Sequence, residues 1–310
     1  MKLFKRLSAV GAAVAMAVTL TACGSGDDPL ADDNSGASSA PGTITIGSAN
    51  FAESELLAEI YAQALEAKGV TVKRQFNIGA RELYLKALQD GSIDLLPEYN
   101  GALLAALSQG GAPEGVSKPE DVLDALKKVL PPGTEVLEQS AAEDKDTLTV
   151  TAETASKYNL KTIDDLKPVA KDLVIGAGPE WQERYQGLKG LKELYGIEFK
   201  EFKPLDAGGP LTVNALIKNQ IQVGNIFSTD SSITVNKFVV LEDTKNLYLA
   251  ENIIPLIRSS ANNPTVTEAL NAVSAKLTTE NLTATLAKVQ VDKQDTPAVA
   301  KGWLTENGLV

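Results

Sequence analysis

Cys23 is the only cysteine in the 310 residues, and Leu20-Thr21-Ala22 precedes it. A thiol behind that run of small and apolar residues suits cleavage there, with a diacylglycerol joined to the sulfur of the new N terminus. Thiol chemistry is then spent on attachment. The chain also has no histidine, which removes the commonest general base and the commonest metal ligand together. Cys/His metal sites go with them. Carboxylate chemistry remains, since Asp and Glu number 40, but no spacing singles out the acid pair a hydrolase needs. No catalytic residue, metal or cofactor is therefore expected. Gly176-x-Gly178 is followed by Trp at 181 rather than a third glycine, so it is not a dinucleotide fingerprint. It reads as a helix start offering N–H groups to an anionic ligand group, or equally as a tight turn.

The segment before Cys23 supports the attachment reading. Lys2, Lys5 and Arg6 precede an uncharged apolar stretch from Leu7 to Ala22, a secretory signal too short to span a membrane comfortably. Residues 1–22 are thus expected to be removed. Residues 23–41, rich in Gly, Ser, Asp and Pro, carry too little apolar surface to offset ordering and read as a flexible tether. The expected location is the outer face of the cytoplasmic membrane, held by a lipid anchor on Cys23. Cleavage leaves 26 basic against 40 acidic residues, a net charge of −14. That balance argues against nucleic acid, whose phosphates call for clustered Lys and Arg.

The remaining residues, about 270, are enough for two lobes. From 43 onward the hydrophobic period alternates between two and 3.6. Thr43–Ile46 alternates like a strand and stops at Gly47-Ser48. Leu56, Leu57, Ile60, Tyr61, Ala64 and Leu65 recur at helical spacing, and Gly69 closes that helix. Val70–Val72 and Ile93–Leu96 read as further strands, with Pro97 expected to stop the second. Ser117-x-x-Glu120 resembles a capping box. A second alternating unit has strands at 173–175, 197–202 and 221–226, with Pro210 placed to open a helix. After a strand at 238–241 the chain ends in helices around 266–290 and 296–306. The expected fold class is α/β, a parallel sheet covered by helices in each lobe. Lobe 1 is expected from 42–146 and 228–310, lobe 2 from 147–227, with the polar joints near 146 and 228 as crossovers. The strand–helix joints at 48–53 and 97–102 then fall at carboxyl ends of strands, where open α/β sheets hold ligands.

Four stretches carry a resemblance. They are Gly47-Ser48-Ala49-Asn50-Phe51-Ala52-Glu53, Gly79-Ala80-Arg81-Glu82, Asp94–Gly101 (DLLPEYNG), and Phe227-Ser228-Thr229-Asp230 followed by Phe238–Asp243. Together they resemble the osmoprotectant-binding family that serves glycine betaine, carnitine and choline importers. Leu205–Thr212 (LDAGGPLT) is similar to the actinobacterial branch of that family. The resemblance runs in order over about 43–310. It implies a two-lobed periplasmic-binding-protein fold of type II with two crossovers, a small-molecule solute, a membrane permease and its ATPase as partners, and a monomer.

The resemblance also implies a ligand set. A quaternary ammonium has no donor and a diffuse charge, so aromatic faces suit it, each contact contributing roughly 0.5–2 kcal/mol. Tyr99 matches a cage tyrosine, and Phe227 stands where another aromatic is usual. Asp146 matches an acidic ligand-side position, Arg184 the arginine that binds the ligand carboxylate, and Asn50 joins them from the first stretch. The aromatics expected near 148 and 213 are Leu148 and Val213, and Ala49 and Ala102 replace a lysine and a threonine. Trp181 and Tyr185 are placed to rebuild an aromatic wall. With half of a four-aromatic cage visible, a polyol or an aromatic solute stays open beside an osmoprotectant. A carboxylate-dependent extracellular hydrolase and a ligand-gated receptor subunit are the rivals from other classes.

Overall fold

A computed structural model describes residues 42–108, 113 and 115–310. The expected signal peptide, the tether and Cys23 lie outside the described residues. Among the described residues, no helix is long and apolar enough to cross a membrane.

Two five-stranded mixed sheets form the body, and they share one topology. The first contains β1 (Thr43–Gly47), β2 (Thr71–Gln75), β3 (Leu95–Tyr99), β4 (Thr134–Val136) and, from much later in the chain, β10 (Ile253–Arg258), in the order β2-β1-β3-β10-β4. The second contains β5 (Asp146–Val150), β6 (Val174–Ala177), β7 (Glu201–Pro204), β8 (Val223–Phe227) and β9 (Val239–Val240), in the order β7-β6-β8-β5-β9. In each sheet four strands run in one direction, three of them as adjacent parallel neighbours. The remaining strand, β10 or β5, is antiparallel to its neighbours on both sides. That strand is the one that enters from the other lobe, so its direction is set by the crossing. This is why the sheets are mixed rather than purely parallel as expected.

The chain crosses twice. The first crossing falls between β4 and β5, close to the expected joint at 146. The second comes later than 228. Val239–Val240 still pairs with β5, and Leu241, Leu247 and Tyr248 belong to the core of the second sheet. The return to the first sheet is made at 249–252, where Glu143 and Asn252 pair side by side. Residues 229–235 touch the first lobe on the way: Ser231 N–H donates to Gln290, and helix α7 (Ser231–Val235) packs beside a C-terminal helix.

Helices α1 (Ala52–Glu66), α2 (Arg81–Asp90), α3 (Asn100–Leu107) and α4 (Pro119–Val129) follow the strands of the first lobe; α5 (Ala152–Tyr158) and α6 (Pro210–Ile217) belong to the second. Three C-terminal helices, α8 (Pro264–Lys276), α9 (Thr279–Gln290) and α10 (Thr296–Glu306), pack around α1. That enclosure buries α1 on most of its sides, with Glu53 and Glu59 buried alongside the apolar residues. Leu56, Leu57, Ile60 and Leu65 are fully buried, each worth about 1.5–3 kcal/mol relative to exposure. Leu277 and Thr278 split the expected 266–290 helix, because the Thr278 side chain caps α9 and closes a capping box with Asn281.

Two local expectations fail for clear reasons. Pro97 does not end the third strand; it sits inside β3, opposite Pro255 of β10. Two prolines facing each other fit an antiparallel ladder at a pair that exchanges no backbone hydrogen bonds, so neither missing N–H interrupts the pairing of β3 with β10. The Ser117–Glu120 box does not form, since Lys118 is the N-cap and Pro119 opens the helix.

Candidate functional site

Four strand ends converge. The joints after β1, β3, β6 and β8 all open onto one narrow cavity between the sheets. This is where strand order in an open α/β sheet leaves a crevice. The cavity is lined by all six candidate residues, Asn50, Tyr99, Asp146, Trp181, Arg184 and Phe227.

The aromatic part is built from both lobes. Phe51 is the N-cap of α1, extended in backbone with its ring turned to the cleft. Its centroid lies 4.9 Å from Phe227 and 6.1 Å from Tyr99, with tilts of 35° and 32°. Trp181 supplies a fourth ring on the second-lobe side and is only 3% exposed. Its indole N–H is buried without a protein acceptor, an arrangement costing about 1–3 kcal/mol until something accepts from it. Tyr185 does not join the wall; it packs against the second core. Leu148 is likewise sealed in that core.

Beneath the rings lies a buried acidic network. Tyr99 donates its phenol to Oε1 of Glu53 at 2.7 Å, and the Thr229 hydroxyl donates to the other oxygen of the same carboxylate. Asp144 accepts from Thr229 N–H and the Ser228 hydroxyl, both at 3.1 Å. Burial, and then the neighbouring Glu53 charge, push the Asp144 carboxyl well above its ordinary range. Burial also raises Glu53, with the hydrogen bonds from Thr229 and Tyr99 opposing it. Glu251, at the second crossing, accepts from Gln186 at 2.6 Å, and burial followed by the Asp146 charge lifts it well up. Asp146 is raised by burial, against a 2.7 Å hydrogen bond from Asn225. The register that pairs Asp146 with Phe227 sets carboxylate and ring side by side.

The two arginines on the wall are already engaged along one edge. Arg81 holds Glu98 through Nε at 2.9 Å and Nη2 at 3.2 Å, with Tyr84 donating to the same carboxylate. Arg184 grips Glu82 of α2, across the cleft, through Nε at 3.1 Å and Nη2 at 3.0 Å. Glu180 and Glu183, the neighbours at helical distance, are not its partners. Burial raises the Glu82 carboxyl, but the hydrogen bonds and charge of Arg184 outweigh it and leave the group below its ordinary value.

Several lining residues escaped the sequence reading: Phe51, Arg81, Tyr84, Asp144, Asn225 and Glu251. Phe51 and Arg81 stood in stretches already singled out, at strand–helix joints, and that position was their signal. Asn225 and Glu251 carried none. Among the described residues, no group of three His, Cys, Asp or Glu is arranged to hold a metal ion.

Residues 42–306 match the family described as OpuAC, the substrate binding domain of ABC-type glycine betaine transport systems. The chain is 27% identical over 276 residues to a protein named carnitine transport binding protein OpuCC of Listeria monocytogenes, covering 86% of this chain and 87% of that one. It is 25% identical over 285 residues to a glycine-betaine-binding protein of Pseudomonas aeruginosa, covering 86% and 89%. In fold it is similar to a solved glycine betaine/carnitine/choline ABC transporter structure, with a TM-score of 0.66 and 23% identity over 86% of this chain and 99% of the other. A choline binding protein solved with choline gives a TM-score of 0.65 at 15% identity, over 86% and 89%. A match across nearly all of the described body, on the fold that places these strand ends together, identifies the chain as a member of the substrate-binding family of ABC-type glycine betaine transport systems.

Proposed function

We propose that the chain captures a quaternary-ammonium compatible solute in the inter-lobe cavity and hands it to a membrane permease driven by an ATPase. One observation carries this reading. The Phe51 ring lies 4.9 Å from Phe227 and 6.1 Å from Tyr99 at a wall that also bears Asp144, Asp146 and Glu251. Aromatic faces backed by carboxylates favour a diffuse cation that has no hydrogen to donate. The outer edges of Arg81 and Arg184, with the buried Trp181 N–H, supply donors for an oxygen-bearing end of the same solute. The names of its relatives support the class, since they are called carnitine and glycine-betaine binding proteins.

The protein works as a monomeric, non-catalytic binder, tethered by a lipid on Cys23 to the outer face of the membrane. Asn50, Tyr99, Asp146, Trp181, Arg184 and Phe227 make the ligand contacts, with Phe51 added. The strands at 143–146 and the segment 249–252 serve as the hinge, and the ligand shifts the lobes by binding the closed form better than the open one. The test is a thermal-shift panel of glycine betaine, carnitine, choline, polyols and aromatic glycosides. A ligand present at 100 times its Kd adds about 2.7 kcal/mol of stability. Stabilisation by a quaternary ammonium and not by polyols is expected. Stabilisation by polyols alone, or release of a hydrolysis product, overturns the reading.

A further inference from the structure

The cleft does not end at the Phe51–Phe227 pair. A second and larger hollow, of about 580 Å³, shares Asn50, Phe51, Asp144, Ala207 and Phe227 with the inner cavity. The two rings are thus a partition lined on both sides. Beyond it the walls turn apolar: Val213 of α6, Val235 of α7, and Leu286, Val289 and Val291 on and after α9. Val235 is 62% and Val291 48% exposed, so their side chains stand open to this space.

The polar groups around the hollow are largely occupied. Asp206 accepts from the N–H groups of Leu211 and Thr212, Glu55 accepts from Asn77, and Asp230 accepts from Ser232 and Gln290. Lys293 is the one cation among the lining residues. What is left unengaged is apolar surface inside an acidic rim, continuous with a cavity suited to a cation.

Resting on the proposed capture of a quaternary ammonium, we propose that the outer hollow receives the tail of an extended one. The methylated nitrogen occupies the inner cavity, and a flat apolar or heteroaromatic substituent passes Phe51 and Phe227 into the hollow. A 4.9 Å centroid separation leaves no room for a third ring between the two. One of them therefore swings outward to admit the tail, into space the hollow provides; both are only half-buried. Burial of the tail against Val213, Val235, Val289 and Val291 gives the affinity, since apolar area leaving water is favourable. The acidic rim keeps anionic substituents out.

Titration calorimetry on the purified full chain with tetramethylammonium and benzyltrimethylammonium tests this. The expected result is an affinity at least about tenfold higher for the benzyl cation. The double variant Val235→Ser and Val291→Ser, at exposed positions that folding does not depend on, is expected to cut that ratio by about threefold or more. If tetramethylammonium binds and the benzyl cation gains nothing, or the ratio survives the double variant, the outer-hollow inference falls while the inner-cavity reading stands. If neither cation binds, the inner-cavity reading fails and takes this inference with it.

Discussion

Phe51 and Phe227 stack 4.9 Å apart although one caps the first helix of the first lobe and the other ends a strand of the second. The aromatic face of the cavity is therefore complete only while the two lobes are together. Solute capture and lobe closure are one event on this geometry, because separating the lobes separates the rings that hold the cation.

Removing a ring should weaken binding without unfolding the protein. Phe227→Ala and Tyr99→Ala each delete one cation–π contact, worth about 0.5–2 kcal/mol, or roughly 2- to 30-fold in Kd. Tyr99→Phe keeps the face and removes one donor from Glu53, so it should cost less than Tyr99→Ala. Calorimetric titration of the best ligand from the panel measures all three.

Acid should weaken capture. Burial holds Asp144 and Glu251 protonated well above the ordinary carboxylate value near 4. A cation in the cavity favours their charged forms, so affinity should rise as pH climbs from about 4 toward those raised values, with proton release on binding. The empty protein should respond in the opposite direction. Its folded state holds these protons more tightly than the unfolded chain, so their contribution is present below the ordinary value and lost as pH rises through the raised one. Titrations in buffers of different ionisation enthalpy count the released protons.

The Arg184–Glu82 pair bridges the lobes with partly exposed partners, 22% and 58% by side chain. Such a pair contributes at most about 1 kcal/mol and is screened by salt. Glu82→Gln should leave the melting temperature nearly unchanged while enlarging the mean radius of the empty protein in small-angle scattering. High salt should reproduce the effect in the unmodified chain.

The second crossing depends on close backbone approach. A Cβ on Gly101 would lie 2.4 Å from the carbonyl oxygen of Ala250 and 2.9 Å from Leu249 Cβ. Gly101→Ala should therefore displace the crossing segment and cost about 1–3 kcal/mol, read as a lowered melting temperature.

Much of this was legible in residues 42–310. Local periods located the strands and helices, and the turn residues after β1, β3 and β8 marked the site, because strand ends and helix starts are local features. Sheet membership was not local. Val239–Val240 shows two apolar β-branched residues and nothing of the strand they pair with, so the local signals point to a crossing near 228 although these residues pair with β5. Pro97 looked like a strand terminator because its partner, Pro255, is distant in the chain. Arg184 showed only its near neighbours Glu180 and Glu183, whereas the partner it uses is Glu82 in the other lobe. Asp144, Asn225 and Glu251 gain their roles from crossings and register, and neither an acid in a polar run nor a lone polar residue among apolar ones carries a sign of that.

The most direct measurement uses the two tryptophans. Trp303 is sealed in the first core at 1% exposure, while Trp181 lines the cavity. Emission changes on adding glycine betaine, carnitine or choline to the full chain therefore report on the cavity wall. A saturable change with at least one of them is expected, absent in Trp181→Phe. A quaternary ammonium that raises the melting temperature yet leaves Trp181 emission unchanged at saturation would contradict this reading.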